Sequence, residues 1–243
     1  MEGPSLVLLR EELHPFVGKK IIKSSGLARI DHERLNGQKI KTFKSWGKHF
    51  LIVLEHVTIR IHFLMFGSYR INERKETTPR LQLEFSDGQE IGFYTTAVTE
   101  ITEDLDAVYD WSADVMNDVW DPAKARKKLK KEPGTNVGDA LLDQEIFSGV
   151  GNIIKNEVLF RIRIHPESVI GALPPRKLTE LIQQARTYSF DFYAWKQIYQ
   201  LKKHWLIHTK MKCPRCNIPS FKKYTGRKQR RSFFCNKCQK LYT

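Results

Sequence analysis

The sequence has few cysteines, and it lacks an apolar run of the length that a membrane-spanning helix needs. Only four cysteines occur among 243 residues, and the first of them is Cys213. Disulfide bonds therefore cannot form a framework for the whole fold. No apolar run approaches the roughly 18 residues of a spanning helix, and residues 1–4 lack the basic and apolar character of a signal peptide. We expect a cytoplasmic protein without a membrane partner.

Acidic residues are missing from the C-terminal part of the chain. Residues 201–243 contain nine Lys, four Arg and neither Asp nor Glu, while the whole chain has a formal net charge of +14. Residues 97–123 show the reverse, with eight acidic residues and no basic residue. Positive charge concentrated in this way indicates binding to a polyanion. A solvated surface is the alternative, and for the acidic stretch it is equally well supported.

The hydrophobic residues, which make up 41% of the chain, are sufficient for a large core. Their spacing predicts a helix over residues 4–16, then β-type runs at 21–22, 39–46, 50–55, 57–63, 68–72, 81–85 and 90–94, then helices at 122–131, 137–142, 152–161 and 175–198. We therefore expect an α+β multidomain fold. An N-terminal β-sandwich occupies residues 1–104, an acidic linker 105–121, a helical domain 122–208 and a small cysteine-containing domain 209–243.

The four cysteines form the most specific motif. Cys213, Cys216, Cys235 and Cys238 have the spacing C-x2-C-x18-C-x2-C. Two such pairs of thiolates can close a tetrahedron around Zn²⁺, and four sulfur ligands leave no open coordination position for chemistry. We expect one structural Zn²⁺ that replaces a hydrophobic core in this small domain. Four free cysteines are the alternative, and a zinc ribbon alone does not identify a function.

A glycine-containing turn lies between two predicted helices. Gly149 and Gly151 precede a helix that begins at Asn152. Backbone N–H groups at the start of a helix, with no side chain in front of them, can bind a DNA phosphate. A plain turn between two helices is an equally good interpretation of this segment alone.

Five segments resemble, in the same order along the chain, the formamidopyrimidine-DNA glycosylase and endonuclease VIII family. They are residues 2–4 (EGP), 46–51 (WGKHFL), 62–71 (HFLMFGSYRI), 141–166 (LLDQEIFSGVGNIIKNEVLFRIRIHP) and 230–239 (RRSFFCNKCQ). The resemblance implies an N-terminal β-sandwich with an N-terminal helix, a helix–two-turn–helix domain and a zinc finger. It also implies a monomer of bacterial type, associated with the nucleoid, that binds double-stranded DNA with damaged bases or abasic sites in a cleft.

The resemblance implies a chemistry as well. In the family, the amino-terminal amine attacks C1′ of a flipped nucleotide, the base leaves, and β/δ-elimination from the Schiff base cuts the strand. Met1 stands where the family has its proline nucleophile, and Glu2 is expected to prevent the removal of Met1. The Met1 amine is then the candidate nucleophile, Glu2 the proton-transfer group, and Lys48 the residue that binds the phosphate beside the lesion. A natural start with proline before Glu2 is the alternative.

The DNA contacts follow from the same resemblance. Asn152 and Arg230 are expected to bind the kinked phosphate backbone, and Lys155 is a weaker candidate for the same role. Considered without the resemblance, a lysine such as Lys48 in a turn is more often plain surface, and Glu2 is an ordinary terminal glutamate.

Leu64, Met65 and Phe66 suggest a buried strand when they are considered alone. Under the resemblance they form the wedge that enters the duplex and fills the gap left by the flipped base. Near residues 92–98 there is no arginine-rich DPRRF motif, which is typical of the formamidopyrimidine branch. Both features favour the endonuclease VIII-like branch, although Ser5 stands where that branch usually has glutamate. The choice between oxidised pyrimidines and oxidised purines stays open.

Two functions of different classes remain. The first and favoured one is a base-excision-repair DNA glycosylase with abasic-site lyase activity. The second is a non-catalytic protein that binds damaged or kinked DNA and has lost the proline nucleophile. An RNA-binding zinc-ribbon protein, the third possibility, explains only the C-terminal part of the sequence.

Overall fold

The computed structural model describes all 243 residues of the chain, which fold into two compact units. The N-terminal unit comprises Met1 and residues 5–109, and the C-terminal unit comprises residues 2–4 and 110–243. Each unit has its own hydrophobic core. None of the helices combines the length and the apolar character that crossing a bilayer requires.

The N-terminal unit contains two four-stranded antiparallel sheets, two α-helices and all but the first two residues of a third. The helices are α1 (Gly3–Glu12), α2 (His32–Leu35) and α3 (Leu105–Val108). The strands are β1 (Ile21–Ser25), β2 (Thr42–Trp46), β3 (His49–Val53), β4 (Thr58–His62), β5 (Ser68–Ile71), β6 (Leu81–Phe85), β7 (Glu90–Tyr94) and β8 (Ala97–Ile101). One sheet has the order β1-β6-β7-β5 and the other has the order β2-β3-β4-β8.

The two sheets pack face to face through aromatic and branched aliphatic side chains. In the second sheet, Phe50 and Ile52 of β3 are paired with Ile61 and Ile59 of β4, and all four side chains are fully buried. The ring of Phe50 lies 6.2 Å from the ring of Phe93, which belongs to β7 of the first sheet. Burial of one face of each sheet is what holds a sandwich together. The predicted N-terminal β-sandwich is therefore confirmed.

The C-terminal unit contains four α-helices and a β-hairpin. They are α4 (Pro122–Lys131), α5 (Val137–Leu141), α6 (Asn152–Arg161), α7 (Pro175–Gln197), β9 (Phe221–Thr225) and β10 (Arg230–Phe234). The longest helix, α7, lies against α4 and α6. The predicted helices and the cysteine-containing hairpin are thus both present, within one compact unit. The predicted linker is divided, since residues 105–109 belong to the N-terminal unit and residues 110–121 to the C-terminal unit.

Side-chain caps explain where the first two of these helices begin. The carboxylate of Asp121 accepts a hydrogen bond of 2.8 Å from the backbone N–H of Ala123, and Pro122 occupies the first helical position of α4. Asn136 caps α5 in the same way, by accepting a bond of 2.8 Å from the N–H of Gly138. These signals are local, and the predicted helices at residues 122–131 and 137–142 agree closely with α4 and α5.

One strand of the sandwich was not predicted. In β8, Val98 and Ile101 are buried, whereas Thr99 is exposed and Glu100 is half-buried. The outward-facing residues of this strand are polar and lie within a stretch of acidic residues. The apolar residues that pack on the core are therefore not recognisable as a strand pattern in the sequence. The pairing of β8 with β4, and not its own composition, explains why this segment is a strand.

Candidate functional site

The four cysteine sulfur atoms form a cluster of the size that a tetrahedral metal site requires. All four Sγ atoms lie within 4.8 Å of one another, and those of Cys213 and Cys238 are 3.7 Å apart. Zinc–sulfur bonds of about 2.3 Å in a tetrahedron place the sulfur atoms roughly 3.8 Å from each other. The donor set and its spacing therefore fit one metal ion that is bound only by protein ligands.

The tip of the β9–β10 hairpin is attached to helix α5 by one carboxylate. Asp139, which is 9% exposed, accepts hydrogen bonds from the backbone N–H groups of Arg227 at 2.6 Å and Lys228 at 3.2 Å. These two residues follow Gly226, the first residue of the turn. The hairpin is thereby fixed at its tip as well as at the cysteine cluster near its base. Asp139 was not predictable from the sequence, because nothing local distinguishes it from other helix-surface acids.

The carbonyl oxygen of Arg231 is a shared acceptor for three side chains of helix α6. It accepts from Asn152 Nδ2 at 3.0 Å, from Lys155 Nζ at 3.4 Å and from Asn156 Nδ2 at 3.5 Å. Lys155 also donates a bond of 2.8 Å to the hydroxyl of Ser232. These contacts set the position of β10 relative to α6.

Lys155 is therefore not placed for the direct DNA contact suggested from the sequence. Its side chain is 1% exposed, and its ammonium points to the hairpin. The pKa of Lys155 is lowered from its ordinary 10.5 to about 8. Burial is the main cause and the nearby Arg230 adds to it, while Asp139 and Glu2 act in the opposite direction. Lys155 supports the hairpin from inside the unit.

Arg230 and Asn152 lie near the contact between β10 and α6, but their surroundings differ. Arg230 is the first residue of β10, where it pairs with Thr225 of β9, and its side chain is exposed. Asn152 is half-buried, and its amide nitrogen faces Arg231. The arrangement leaves the guanidinium of Arg230 at the surface, on a strand whose position is fixed by helix α6.

The amino end of helix α6 is occupied by the carboxylate of Glu2. Its oxygens accept hydrogen bonds from the backbone N–H groups of Gly151 at 3.2 Å, Ile153 at 2.7 Å and Ile154 at 3.3 Å. These are groups that have no partner within the helix, and the positive end of the helix dipole stabilises a negative charge there. The helix start does bind an anion, as its sequence suggests, but the anion is a side chain of the protein.

The phosphate site predicted at Gly149 and Gly151 is therefore not open. The Gly149 N–H donates to Gln144 Oε1 at 3.1 Å, and the Gly151 N–H is taken by Glu2. Glycine is required at position 151 to make room for Glu2 and not for a phosphate, because a Cβ atom there would lie 2.4 Å from Cδ of Glu2. Gly149 has φ of +97°, a conformation that favours glycine, and its carbonyl accepts a 2.9 Å bond from the N–H of Gly3. The turn holds residues 2–3 in place.

Within the N-terminal unit, the amine of Met1 lies beside the turn after β4. It donates a hydrogen bond of 3.5 Å to the carbonyl of Leu64. The same Leu64 donates its N–H at 3.2 Å to Nδ1 of His62. Burial lowers the pKa of His62, and the positive charges of the Met1 amine, Lys48 and Arg60 lower it further. A neutral imidazole and two amines therefore share this region.

Lys48 lies in the tight turn between β2 and β3, next to an aromatic cluster. It is half-buried, unlike a plain surface lysine. Its neighbour His49 has Nδ1 3.2 Å from the hydroxyl of Tyr109 and its ring 5.6 Å from the ring of Trp46. Burial, followed by the charge of Arg60, lowers the pKa of His49 to about 4. His49 and His62 were not predicted as site residues from the sequence, although both fall within segments that carry the family resemblance.

Leu64, Met65 and Phe66 are exposed, which contradicts the buried strand that their composition suggests. Their exposed fractions are 51%, 72% and 78%. They form the turn between β4 and β5, which a hydrogen bond of 2.8 Å from the Gly67 N–H to the Phe63 carbonyl closes. Leu64 has φ of +49°, which is uncommon for leucine. Three adjacent apolar side chains at the tip of a turn indicate a surface that is covered when a partner binds.

Comparison with known proteins gives matches over most of the chain. Residues 2–96 match the family described as formamidopyrimidine-DNA glycosylase N-terminal domain, and residues 112–188 match the formamidopyrimidine-DNA glycosylase H2TH domain. Endonuclease 8-like 3 of Xenopus laevis is 31% identical over 90% of this chain and 38% of its own length. The DNA-(apurinic or apyrimidinic site) lyase Nei2 of Mycolicibacterium smegmatis is 31% identical over 63% of this chain and 61% of its own length.

Solved structures with the same fold cover the whole chain. A viral DNA glycosylase superposes with a TM-score of 0.85 at 19% identity, covering 99% of this chain and 100% of the other. The Lactococcus lactis formamidopyrimidine-DNA glycosylase bound to DNA with an abasic site has a TM-score of 0.86 at 23% identity, with the same coverage. The chain spans less than two fifths of the endonuclease 8-like 3 relatives that it matches.

Proposed function

Since this chain belongs to the formamidopyrimidine-DNA glycosylase and endonuclease VIII family, we propose that it is a DNA glycosylase with abasic-site lyase activity. Its substrate is double-stranded DNA that contains damaged bases or abasic sites. The observation that carries the proposal is the position of Glu2. Its carboxylate follows the Met1 amine directly in the chain and is held by three backbone N–H groups at the start of α6.

The proposed reaction begins at the Met1 amine. The neutral amine attacks C1′ of the damaged nucleotide, a new C–N bond forms, and the bond between C1′ and the base breaks, so that the base leaves with a proton. The sugar ring then opens, its ring oxygen takes up a proton, and the amine and C1′ form a Schiff base. Glu2 exchanges these protons. Loss of a proton from C2′ and departure of the 3′ phosphate cut the strand by β-elimination. Loss of a further proton, from C4′, and departure of the 5′ phosphate complete δ-elimination, and water then hydrolyses the Schiff base and frees the Met1 amine.

The DNA contacts are part of the same proposal. Lys48 and the exposed Arg230 bind phosphates next to the lesion, and Asn152 supports the hairpin that carries Arg230. The exposed side chains of Leu64, Met65 and Phe66 enter the duplex where the base is flipped out. These positions support the proposal because Arg230 and the apolar tip are exposed and Lys48 is half-buried.

The metal in the proposal is Zn²⁺, held by Cys213, Cys216, Cys235 and Cys238. A closed site of four thiolates supplies folding free energy to the hairpin and takes no part in the reaction.

We place the protein with chromosomal DNA, as a cytoplasmic, nucleoid-associated protein of bacterial type. Relatives in this family come from both animals and bacteria.

A non-catalytic binder of damaged DNA is the second candidate, because Met1 stands in place of proline at the nucleophile position. Trapping with borohydride on a duplex with one abasic site separates the two candidates. Intact-mass measurement first establishes that the purified chain begins with an unmodified Met1. The enzyme should give a covalent complex, and acetylation of the amine should prevent it.

A non-catalytic binder should recognise abasic duplex without forming a covalent complex. A protein that prefers abasic over intact duplex but never traps would overturn the enzyme proposal and support binding alone. Insertion of proline between Met1 and Glu2 then tests whether a secondary amine restores trapping. A protein that neither traps nor discriminates would contradict the roles proposed for Glu2 and Lys48.

A further inference from the structure

The C-terminal unit has a large groove that the proposed reaction does not use. It lies between α4 and α7 and has a volume of about 870 Å³. Its lining combines apolar side chains, among them Trp120 and Ile182, with a group of cations. Grooves of roughly this volume, with an apolar lining and a few polar groups, are typical of binding sites.

The lysines of helix α4 fall into two groups with different surroundings. Lys124 and Lys128 pair with Asp110, at 2.8 Å and 3.3 Å. Three others line the groove, namely Lys127, Lys130 and Lys131. They are exposed, and the structure gives them no acidic partner. The groove thus has positive charge without an acidic partner at its rim, whereas the other two lysines of the same helix share the carboxylate of Asp110.

The two arginines of the groove are held by the protein itself. Arg126 donates to Thr179 Oγ1 at 2.7 Å. Arg186 donates to the carbonyls of Val115 and Asn117 at 3.0 Å and 2.8 Å, and it lies 5.6 Å from the ring of Trp120. Their donors are partly used, so neither arginine presents a complete fork to a phosphate. What remains free for a ligand is a row of flexible lysines beside an apolar floor.

We propose that this groove binds an acidic segment of a partner protein, with a large apolar side chain of that segment seated against Trp120 and Ile182. Carboxylates spaced along a peptide match lysines spaced along a helix, and an apolar side chain fills the floor. A DNA backbone would satisfy the lysines but has no apolar group for the floor. A nucleotide concentrates its charge at one point, where the groove offers no complete guanidinium fork, because both arginines donate to protein acceptors.

The test uses a fluorescently labelled peptide of about 12 residues, rich in Asp and Glu, with a central Leu-Phe pair. A second peptide of equal charge has Gly-Gly at the centre. Fluorescence anisotropy with the full chain should show saturable binding of the first peptide, at least about tenfold tighter than the second. Equal affinity for both peptides, or no binding of the first at millimolar concentration, would overturn the proposal.

Two variants examine the two parts of the groove. Lys127→Glu combined with Lys130→Glu should weaken peptide binding at least about tenfold by reversing the rim charge. Thr187→Trp, at an exposed position of α7 that lines the groove, should weaken it similarly without a change in charge. The control is Lys202→Glu with Lys203→Glu, which makes the same charge change at exposed lysines that do not line the groove and should alter affinity less than about twofold.

Competition decides between a peptide and a nucleic acid. A short intact duplex, or a free nucleotide, should not displace the peptide at physiological salt. Displacement by either, together with an equal loss of DNA affinity in the Lys127→Glu and Lys130→Glu variant, would show a phosphate surface and overturn the proposal.

Thermal unfolding of each variant verifies that it folds. Borohydride trapping is measured in parallel, and the groove variants should trap like the wild type, so a failure of the groove proposal and a failure of the proposed function are distinguishable.

Discussion

The carboxylate of Glu2 accepts a hydrogen bond of 2.7 Å from the backbone N–H of Ile153, a residue 151 positions later in the chain. Gly151 makes this contact possible, because a Cβ atom at that position would lie 2.4 Å from Cδ of Glu2. The helix–two-turn–helix segment therefore has a role besides any contact with DNA. It holds the residue that follows the proposed nucleophile.

Gly151→Ala should displace Glu2 and reduce trapping on abasic duplex at least about tenfold, with a loss of stability of only about 1 kcal/mol for the disturbed helix start. The measurements are the rate of borohydride trapping and the free energy of unfolding in urea. Gly134→Ala is the matched control, because a Cβ there has nothing within 4 Å. Normal trapping by Gly151→Ala would mean that the position of Glu2 does not matter.

Chelation of the metal should unfold the cysteine-containing domain and leave the sandwich and the helices folded. DNA affinity should fall sharply, because the β9–β10 hairpin that carries Arg230 is then no longer anchored by the metal-bound cysteines. Only its contacts with Asp139 and Lys155 remain. Metal analysis should give one zinc per chain before chelation, and readdition of zinc should restore binding. Unchanged DNA binding by metal-free protein would contradict the role assigned to this domain.

Phe66→Ala and Met65→Ala should weaken trapping on abasic duplex without lowering the melting temperature, since both side chains are more than 70% exposed. On single-stranded abasic DNA the same variants should trap like the wild type, because no base stack has to be opened. Leu27→Ala, in the same unit and 57% exposed, is the matched control. An equal loss on both substrates would contradict intercalation.

Arg230→Ala should weaken binding to all DNA sequences and reduce the slope of log K against log salt by about one. Its neighbour Arg231 provides the comparison, because the Arg231 guanidinium donates to the hydroxyl of Tyr224 at 2.9 Å. Arg231→Ala should therefore have the smaller effect on the salt slope. Titrations at several salt concentrations measure both, and a loss restricted to one sequence context for Arg230→Ala would contradict a phosphate contact.

Local signals in the sequence were sufficient for most of the fold. Helix α4 was predictable since Asp121 and Pro122 mark its start, and β6 and β7 were predictable from apolar residues on either side of the Asp87-Gly88 turn. The cysteine spacing likewise predicted a cluster that the structure contains. In each case the residues that determine the structure are close together in the chain.

The site was less predictable because its contacts join distant residues. Nothing near Gly151 indicates that Glu2, 149 positions earlier, takes its N–H. Lys155 appeared to be a surface cation, and only the packing of β10 against α6 buries it. At Leu64 to Phe66 composition alone is misleading, since three apolar residues favour a buried strand while the turn between β4 and β5 exposes them, as the family resemblance implies.

The buried ammonium of Lys155 should make stability depend on pH in an unusual direction. Its pKa is lowered from 10.5 to about 8 in the folded chain. Below pH 8 both states carry the proton, and the cost of burying the charge is fully present. Between pH 8 and 10.5 the folded chain loses the proton while the unfolded chain keeps it, so this residue makes stability rise with pH.

Lys155→Met removes the titrating group, and the difference in unfolding free energy between wild type and variant measures its effect. The wild type should gain roughly 3 kcal/mol relative to the variant from pH 8 to 10.5, because all other groups cancel. The charges that face the ammonium, from Arg230, Asp139 and Glu2, are the same in both proteins. Urea denaturation at closely spaced pH values is the measurement, with the exposed Lys202→Met as the control that should give no slope. Parallel curves for wild type and Lys155→Met would mean that Lys155 stays charged throughout, and the ammonium would then have to be better solvated than its 1% exposure indicates.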